Sequence, residues 1–246
     1  MRFDAAALIV LLALPSAPTE RLSFDLLDAA LGRHVDDGLV DYAGLKDDSG
    51  FRRQIALLAA ADPDALAPGD ERLAAWINTY NALVLEGVVD RYPIRSITEV
   101  GPAGKWTFFR GLEFTVGGRR ITLDHIEHSI IRPTFQDPRV HFALVCASVG
   151  CPKLSPRVFR ASTLQADLDA AARRFINDPR KVNLDRSAAV LRLSEIFKWY
   201  EQDFVKASGS VPAFIARYLE GGLPPGVKLE YLEYSWALND RPGPPR

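Results

Sequence analysis

Residues 121–133, ITLDHIEHSIIRP, and residues 137–156, DPRVHFALVCASVGCPKLSP, form the stretch on which the interpretation of this chain depends. Together they contain three of the four histidines and both cysteines of the 246-residue chain. Thiols, imidazoles and carboxylates are the side chains used in nucleophilic and acid–base catalysis. We therefore expect the chemistry of the protein to lie here.

The first half of this stretch predicts a helix over residues 123–132, capped by Thr122 and closed by Pro133. At 100° per residue, Glu127 falls within the apolar arc of this helix and His128 lies just beyond its edge. A core-facing carboxylate needs a paired, hydrogen-bonded partner. Glu127 is therefore expected either to form a structural pair with an arginine or to act in catalysis.

The second half contains an uninterrupted apolar run, VHFALVCAS, which predicts a buried strand near 140–147. Along a strand at ~3.3 Å per residue, His141 would lie about 16 Å from Cys146 and on the opposite face. His128 is therefore the better base for Cys146, whereas either histidine is within reach of Cys151. The thiols also have structural interpretations, as a small apolar side chain in a core strand or as the two halves of a disulfide.

Outside this stretch, the strongest helical pattern covers residues 70–92, DERLAAWINTYNALVLEGVVDRY. Asn78 and Asn81 fall on sides of this helix that are otherwise apolar. Because a buried unpaired polar group costs ~1–3 kcal/mol, each amide needs a partner. They are expected either to bond the backbone of a neighbouring loop or to line a pocket and orient a catalytic side chain.

The remaining pattern predicts an α+β fold in one domain, predominantly helical with a small, mostly antiparallel sheet. LEFTV and RRITL flank Gly117-Gly118 and predict a hairpin near 112–121. The first 17 residues predict a secretory signal peptide, and hence a periplasmic or extracellular protein. The domain is expected to cover residues 18–240, and a Pro-rich tail follows over 241–246.

The composition argues against several classes of partner. Thirty basic and 31 acidic residues give a net charge of -1, which excludes a global electrostatic footprint for nucleic acid. No transmembrane span is predicted, because the apolar N-terminal run is shorter than the ~20 residues that cross a bilayer. His125 and His128 are three residues apart, not four as in a zinc-protease helix, and no metal or cofactor is predicted.

Three motifs in this order resemble the bacterial and plant family called domain of unknown function 547. They are WINTYNALVLEGV, LDHIEHSIIRP and DPRVHFALVCASVGCPKLSP, and the GLVDYAGL, FKWYEQDF and YLEYSWALN segments resemble the family's flanks. The resemblance covers nearly the whole chain after the leader but implies no activity. The family's motif positions fall on Asn78, Asn81, Glu127, His128, Arg132 and Cys146. Its pattern tolerates a replacement at the position of Cys151.

The leading hypothesis is an exported thiol-dependent hydrolase, peptidase-like or amidase-like, acting on a small-molecule or peptide substrate. Cys146 is the expected nucleophile, its thiol pKa lowered by an adjacent imidazolium, with His128 as base. Glu127 or an amide would orient the base, and Asn78 or Asn81 would donate to the oxyanion. The predicted catalytic residues are thus Cys146, His128 and Glu127, and the predicted binding residues are Asn78, Asn81, Arg132 and His141.

Two other functions remain open from the sequence. One is a non-catalytic envelope module that binds a ligand or peptide in a pocket lined by the same polar groups. The other is a redox or metal site built on the two cysteines. The sequence does not predict an oligomeric state.

Overall fold

A long buried helix, α4 (Asp70–Val89), forms the centre of the fold in the computed structural model, which describes residues 22–241. Sixteen of its 20 residues are buried, as expected for a helix that is apolar around most of its circumference. The helix ends at Val89 and not at Tyr92 as predicted. The residue before a proline is disfavoured in the helical region, so Pro93 ends the helix in a short turn over Asp90–Tyr92.

The described residues contain nine further helices, most of them short. They are α1 (Asp25–His34), α2 (Tyr42–Lys46), α3 (Ser49–Ala60), α5 (Leu123–His125), α6 (Arg132–Phe135), α7 (Leu164–Ile176), α8 (Ile196–Trp199), α9 (Glu201–Ser208) and α10 (Val211–Ala216), counted within residues 22–241. Three 3₁₀ segments cover Pro63–Ala65, Ile97–Glu99 and Pro138–Phe142, and two π-helical segments cover Thr107–Gly111 and Ile126–Ile131. In the described residues, no helix is both long and apolar enough to cross a membrane.

Within residues 22–241, the strands form three small sheets. They are β1 (Val35–Asp36), β2 (Leu39–Val40), β3 (Glu113–Val116), β4 (Arg119–Thr122), β5 (Val182–Asp185), β6 (Val190–Ser194) and β7 (Lys228–Leu232). The pairs β1–β2, β3–β4 and β5–β6 are antiparallel, whereas β6–β7 is parallel. The predicted α+β class and its mostly antiparallel strands are therefore confirmed.

The predicted hairpin near 112–121 is confirmed as β3–β4. Its register pairs Val116 with Arg119 across a two-residue turn. Both turn residues, Gly117 and Gly118, have positive φ angles (55° and 74°), the conformation that a tight hairpin turn of this kind requires. The predicted signal peptide (1–17) and residues 242–246 of the predicted tail lie outside the described residues, and export stays a prediction.

The buried strand predicted near 140–147 is wrong. Pro138–Phe142 is a 3₁₀ helix, begun by an Asp137 side chain that accepts from the Arg139 N–H, and an irregular loop follows. An apolar run indicates burial but does not distinguish a strand from another buried segment. Among the described residues, the loop pairs only through an isolated antiparallel bridge between Ser148 and Leu238, and side chains of α4 satisfy another part of its backbone.

The two amides of α4 provide these backbone contacts. Asn81 Nδ2 donates to Ala143 O (2.9 Å), and its Oδ1 accepts from Val145 N (3.0 Å). Asn78 forms the same reciprocal pair with Phe159 N and O at 2.9 and 2.8 Å. Of the two roles that the sequence left open for these amides, the contact with loop backbone is the one observed.

The predicted helix over 123–132 also differs in its extent. Thr122 caps it as expected, by accepting from His125 N. After α5 the chain widens into the π-helical segment, where Arg132 N donates to Glu127 O, and the helical path continues through Pro133 to Phe135. A π turn changes the hydrogen-bond pattern by one residue, which accommodates the missing N–H of the proline.

Two hydrophobic clusters make up the interior. The first packs α1, α3 and the β3–β4 hairpin around α4. The second is rich in aromatic side chains, and the Phe142 ring lies 5.0 to 6.1 Å from the rings of Phe175, Phe197, Phe204 and Phe214. Cys146 and Trp236 are partly buried against both clusters. The loop that carries Cys146 therefore lies where the two clusters meet.

We predict that Asn81→Ala lowers the free energy of unfolding by about 2–4 kcal/mol, because it leaves the buried Ala143 carbonyl and Val145 N–H without partners. Urea unfolding followed by circular dichroism measures this loss. Asn183→Ala, at an exposed position of β5, is the control and is expected to change stability by no more than ~0.5 kcal/mol. Equal stabilities of the two variants would contradict the role assigned to Asn81.

Candidate functional site

A pocket of about 420 Å³ opens between the two hydrophobic clusters. Five of the seven site residues predicted from the sequence line it, namely Glu127, His128, Arg132, His141 and Cys146. Asn78 and Asn81 do not line it, so the expectation that one of them donates to an oxyanion is not supported. Both π-helical segments contribute to the walls, and π turns occur frequently at functional sites.

Cys146 lies in a loop with unusual backbone geometry. The next residue, Ala147, has a φ of 56°, in the left-handed region that side-chain-bearing residues rarely adopt. The Cys146 N–H donates to the sulfur of Cys151 at 2.8 Å, which closes the loop on itself. Backbone strain of about 1–3 kcal/mol persists only where the surroundings enforce it, and such positions cluster at functional sites.

Two hydroxyl groups contact the Cys146 sulfur. Ser148 Oγ lies at 3.1 Å and Tyr234 Oη at 3.0 Å, and the two oxygens are 3.2 Å apart. Burial by itself raises the pKa of Cys146, but hydrogen bonds from Cys151, Ser148 and Tyr234 outweigh it, so the pKa lies below its ordinary value. We expected an imidazolium to lower this pKa; donors at the sulfur do so instead.

The pKa of Cys151 is shifted in the opposite direction, although this residue lines the same pocket. Its thiol is buried, and burial together with its hydrogen bond to Cys146 raises its pKa well above the ordinary value. Both cysteines are free thiols. The pair therefore contains one thiol whose pKa is lowered by hydrogen bonds and one whose pKa is raised by burial.

His141 enters the pocket from the 3₁₀ segment, which differs from the sequence prediction. On a strand it would have been about 16 Å from Cys146, but the loop turns and both residues line one cavity. The ring stacks on Tyr200 with 3.8 Å between centroids, and Nε2 lies 2.8 Å from Asp203 Oδ2. Burial lowers the pKa of His141, with Asp203 opposing the shift, so the neutral imidazole is favoured.

Asp203 and Arg132 hold this imidazole in place. Arg132 Nε and Nη2 donate to the two Asp203 oxygens at 2.8 and 3.0 Å. The hydrogen bond to His141, and then those from Arg132, keep the pKa of Asp203 well below its usual range against the opposing effect of burial. Asp203 is therefore a carboxylate that fixes which nitrogen of His141 faces it.

His128 has a different set of contacts. Arg132 Nη1 lies 2.8 Å from His128 Nδ1, and Nε2 lies 3.7 Å from an Asp124 oxygen. An arginine can only donate, so Nδ1 accepts and the proton of the neutral ring is on Nε2. Nδ1 of His128 is thus hydrogen-bonded, and Nε2 faces a carboxylate beyond hydrogen-bond distance, with both neighbours on the same helical run. His125 is exposed.

Glu127 is buried, as the helical pattern predicted, and its partners are tyrosines. Tyr80 Oη donates to Glu127 Oε2 at 3.2 Å, and Tyr200 lies close enough for this carboxylate to raise its pKa. Burial, followed by the proximity of Glu127, raises the pKa of both tyrosines well above the ordinary value. Among the residues described, no ion pair joins Glu127 to an arginine, which rules out the structural pair that the sequence left open.

Four residues of the site were not identified from the sequence: Ser148, Tyr200, Asp203 and Tyr234. Three of them belong to FKWYEQDF and YLEYSWALN, which the motif comparison treated only as flanks. Aromatic and acidic residues are common on helices and strands, so these segments carry no spacing that indicates a site. Their pairing with His141 and Cys146 depends on contacts between residues 62 and 88 positions apart.

Residues 63–176 match the model of a family described as protein of unknown function, DUF547. The resemblance inferred from the three motifs is therefore confirmed. The matched segment includes Cys146, both pocket histidines and the two amides of α4, but it ends before Asp203 and Tyr234. No curated protein and no solved structure matches the chain.

We predict that Tyr234→Phe shifts alkylation of Cys146 by iodoacetamide to higher pH, because the variant loses a donor that stabilises the thiolate. Peptide mass spectrometry of the native protein, labelled across a pH series, measures each thiol separately. Cys151 is expected to react more slowly than Cys146 throughout. Tyr231→Phe, on the exposed part of β7, is the control and should keep the wild-type profile; an unchanged profile in Tyr234→Phe would contradict the prediction.

Proposed function

From the geometry of the pocket, we propose that this chain, whose residues 63–176 match the DUF547 family, is a thiol-dependent hydrolase of the peptidase or amidase type. The observation that carries the proposal is the Cys146 sulfur, which lines the pocket with two hydroxyl groups and a second thiol positioned to stabilise its thiolate. A thiolate is the nucleophilic form of cysteine. Cys146 is therefore the proposed nucleophile.

His141 is a better candidate for the base than His128, which the sequence favoured. Asp203 orients His141 through Nε2, and Nδ1 has no hydrogen bond to another described residue. Both nitrogens of His128 already face charged neighbours. An imidazole held by a carboxylate at one nitrogen and open at the other is the arrangement that nucleophile–base pairs use.

Neither imidazole is hydrogen-bonded to the Cys146 sulfur, so the proposed proton transfers take place with a substrate bound between them. The Cys146 thiol proton passes to His141, and the sulfur attacks the acyl carbon. The C–N bond then breaks, and the leaving amine takes the proton from His141. Water, deprotonated by the same imidazole, attacks the thioester and releases the acid and the thiol.

Glu127 and Arg132 are proposed to position His141. Arg132 holds Asp203, and Glu127 lies close to Tyr200, whose ring stacks on the imidazole. Glu127 is therefore retained from the predicted catalytic set, but it acts through Tyr200 and not as a direct partner of a histidine.

The test uses p-nitrophenyl acetate as an acyl donor and intact-protein and peptide mass spectrometry to find the acetyl group. We expect wild-type protein to be acetylated at Cys146 and Cys146→Ala to lose that adduct. His141→Gln should slow turnover by about 10²–10⁴-fold, the usual contribution of a general base, and change the pH profile.

His128→Gln is the matched control, because it alters an imidazole of the same pocket that is not assigned to proton transfer. Acetylation and turnover that persist in Cys146→Ala would refute the hydrolase. If His128→Gln slows turnover and His141→Gln does not, His128 is the base and not His141. If wild-type protein is not acylated at all, the non-catalytic binding module becomes the better description.

A redox function is the second candidate, and the contact between Cys146 N and Cys151 Sγ favours it. With hydrogen peroxide as oxidant, the Cys146 thiolate would take one oxygen to form a sulfenic acid and release water. The Cys151 thiol would then displace water and form a disulfide. Peroxide treatment followed by mass spectrometry tests this: loss of two hydrogens that dithiothreitol restores supports the redox site, and stepwise oxygen addition without a disulfide contradicts it.

A further inference from the structure

A lysine lies within a group of tryptophans at the pocket. Lys105 Nζ is 4.2 Å from the ring centroid of Trp236, 5.4 Å from that of Trp106 and 5.5 Å from that of Trp199. All four side chains line the cavity that contains Cys146. Trp106 and Trp199 are 51% and 41% exposed, high fractions for such large apolar side chains, so their rings are accessible to a ligand.

Lys105 differs from the other cations of this pocket in having no acidic partner. Arg110 pairs with Asp124 at 2.8 Å, and Arg132 pairs with Asp203. Within residues 22–241, Lys105 Nζ neither lies in an ion pair nor donates a hydrogen bond. The pocket therefore contains one positive charge that the described protein does not neutralise.

The contact with the indole rings leaves the ammonium free to bind an anion. A cation over an aromatic face is attracted by the ring's electron density and does not use its N–H groups as donors to an acceptor atom. An ammonium has three such donors. The rings also exclude water from part of the charge, which strengthens an ion pair formed there compared with one in bulk solvent.

The Lys105 ammonium and the Cys146 sulfur lie along the same wall of the pocket. The Trp236 ring, over which Lys105 lies, is 4.6 Å from the Tyr234 ring, and the Tyr234 hydroxyl contacts the Cys146 sulfur at 3.0 Å. A ligand that reaches Lys105 thus lies along the same aromatic surface as one that reaches Cys146. A single molecule with an anionic group beside its reacting acyl carbon fits both.

We infer that Lys105 and its three tryptophans form a carboxylate-binding subsite, and that the substrate is an acyl compound carrying a free carboxylate, such as a peptide with an unblocked C-terminus. The identity of the substrate rests on the proposed function, whereas binding of a carboxylate does not.

The remaining charges of the pocket favour a singly charged group over a phosphate. Glu127 also lines the cavity and has no ion pair with another described residue, and the Cys146 thiolate adds a second negative charge when it forms. A dianion would be repelled by these groups and would find only one unpaired cation. A carboxylate places one negative charge against Lys105, and the apolar part of the ligand packs on the indole faces.

The test compares N-acetyl-L-phenylalanine with its amide, two ligands that differ in one negative charge. Binding is followed by tryptophan fluorescence, because three of the four tryptophans of the chain line the pocket. We expect wild-type protein to bind the acid about tenfold more tightly than the amide, the effect of one partly desolvated ion pair. Salt should weaken binding of the acid and leave that of the amide unchanged.

Lys105→Met keeps the apolar stem over the rings and removes the charge, so it should bind acid and amide equally. Lys105→Arg should restore the preference. Lys198→Met is the matched control, since Lys198 also lies over an aromatic ring, that of Tyr231, but does not line the pocket. Equal binding of acid and amide by wild-type protein, or a preference that survives in Lys105→Met, would overturn the inference.

The binding assay requires no turnover, so its outcome separates this inference from the hydrolase proposal. If the acid is preferred but Cys146 is never acylated, the proposed function fails and the subsite stands as part of a ligand-binding pocket. If Cys146 is acylated but acid and amide bind equally, the hydrolase stands and the subsite fails.

Discussion

The buried amide of Asn81 ties the Cys146 loop to the central helix, and the arrangement of the pocket depends on this constraint. Within the described residues the loop pairs only through an isolated bridge, so its remaining backbone groups need other hydrogen bonds in an apolar interior. Asn81 provides two of them, and the backbone of Val149 and Gly150 pairs with Ala237 and Ser235 on the other side. The same contacts bring the segment that carries Tyr234 and Trp236 to the wall of the pocket.

This attachment of the loop to α4 explains how the pKa values of two thiols five residues apart are shifted in opposite directions. Cys146 has hydroxyl groups around its sulfur, whereas Cys151 lies beneath it and accepts the Cys146 N–H. Hydrogen bonds to a charged form lower the pKa of an acid, and burial without such bonds raises it. Ala147, held in a left-handed conformation between them, is the backbone adjustment that aims the first sulfur into the pocket.

The two pocket histidines have the same side chain but different contacts, because different charged residues lie beside them. Arg132 contacts both systems, since it donates to His128 and also holds the carboxylate that orients His141. His128 is thereby enclosed by Arg132 and Asp124, and His141 keeps one nitrogen without a protein partner. Lys105 is a further positive charge of the pocket, and indole rings and not carboxylates surround it.

The sequence by itself determined the features that depend on local periodicity and turn chemistry. The start and burial of α4, the Gly117-Gly118 hairpin, the cap at Thr122 and the core-facing position of Glu127 follow from the spacing of neighbouring residues. The need of Asn78 and Asn81 for buried partners also followed, because an unpaired amide is unfavourable wherever it lies. The choice of Cys146, His128, Arg132 and His141 as pocket residues came from the same stretch and its motifs.

Only the tertiary structure decided what those residues contact. An apolar run is compatible with a strand or a buried loop, so the path of residues 140–147 depended on the amides of α4 and not on the run itself. The donors around Cys146, the carboxylate of Asp203 and the tryptophans around Lys105 come from segments distant in the chain. Local spacing specifies which face a side chain occupies, but pKa values and pairings depend on distances across the fold, which no local pattern encodes.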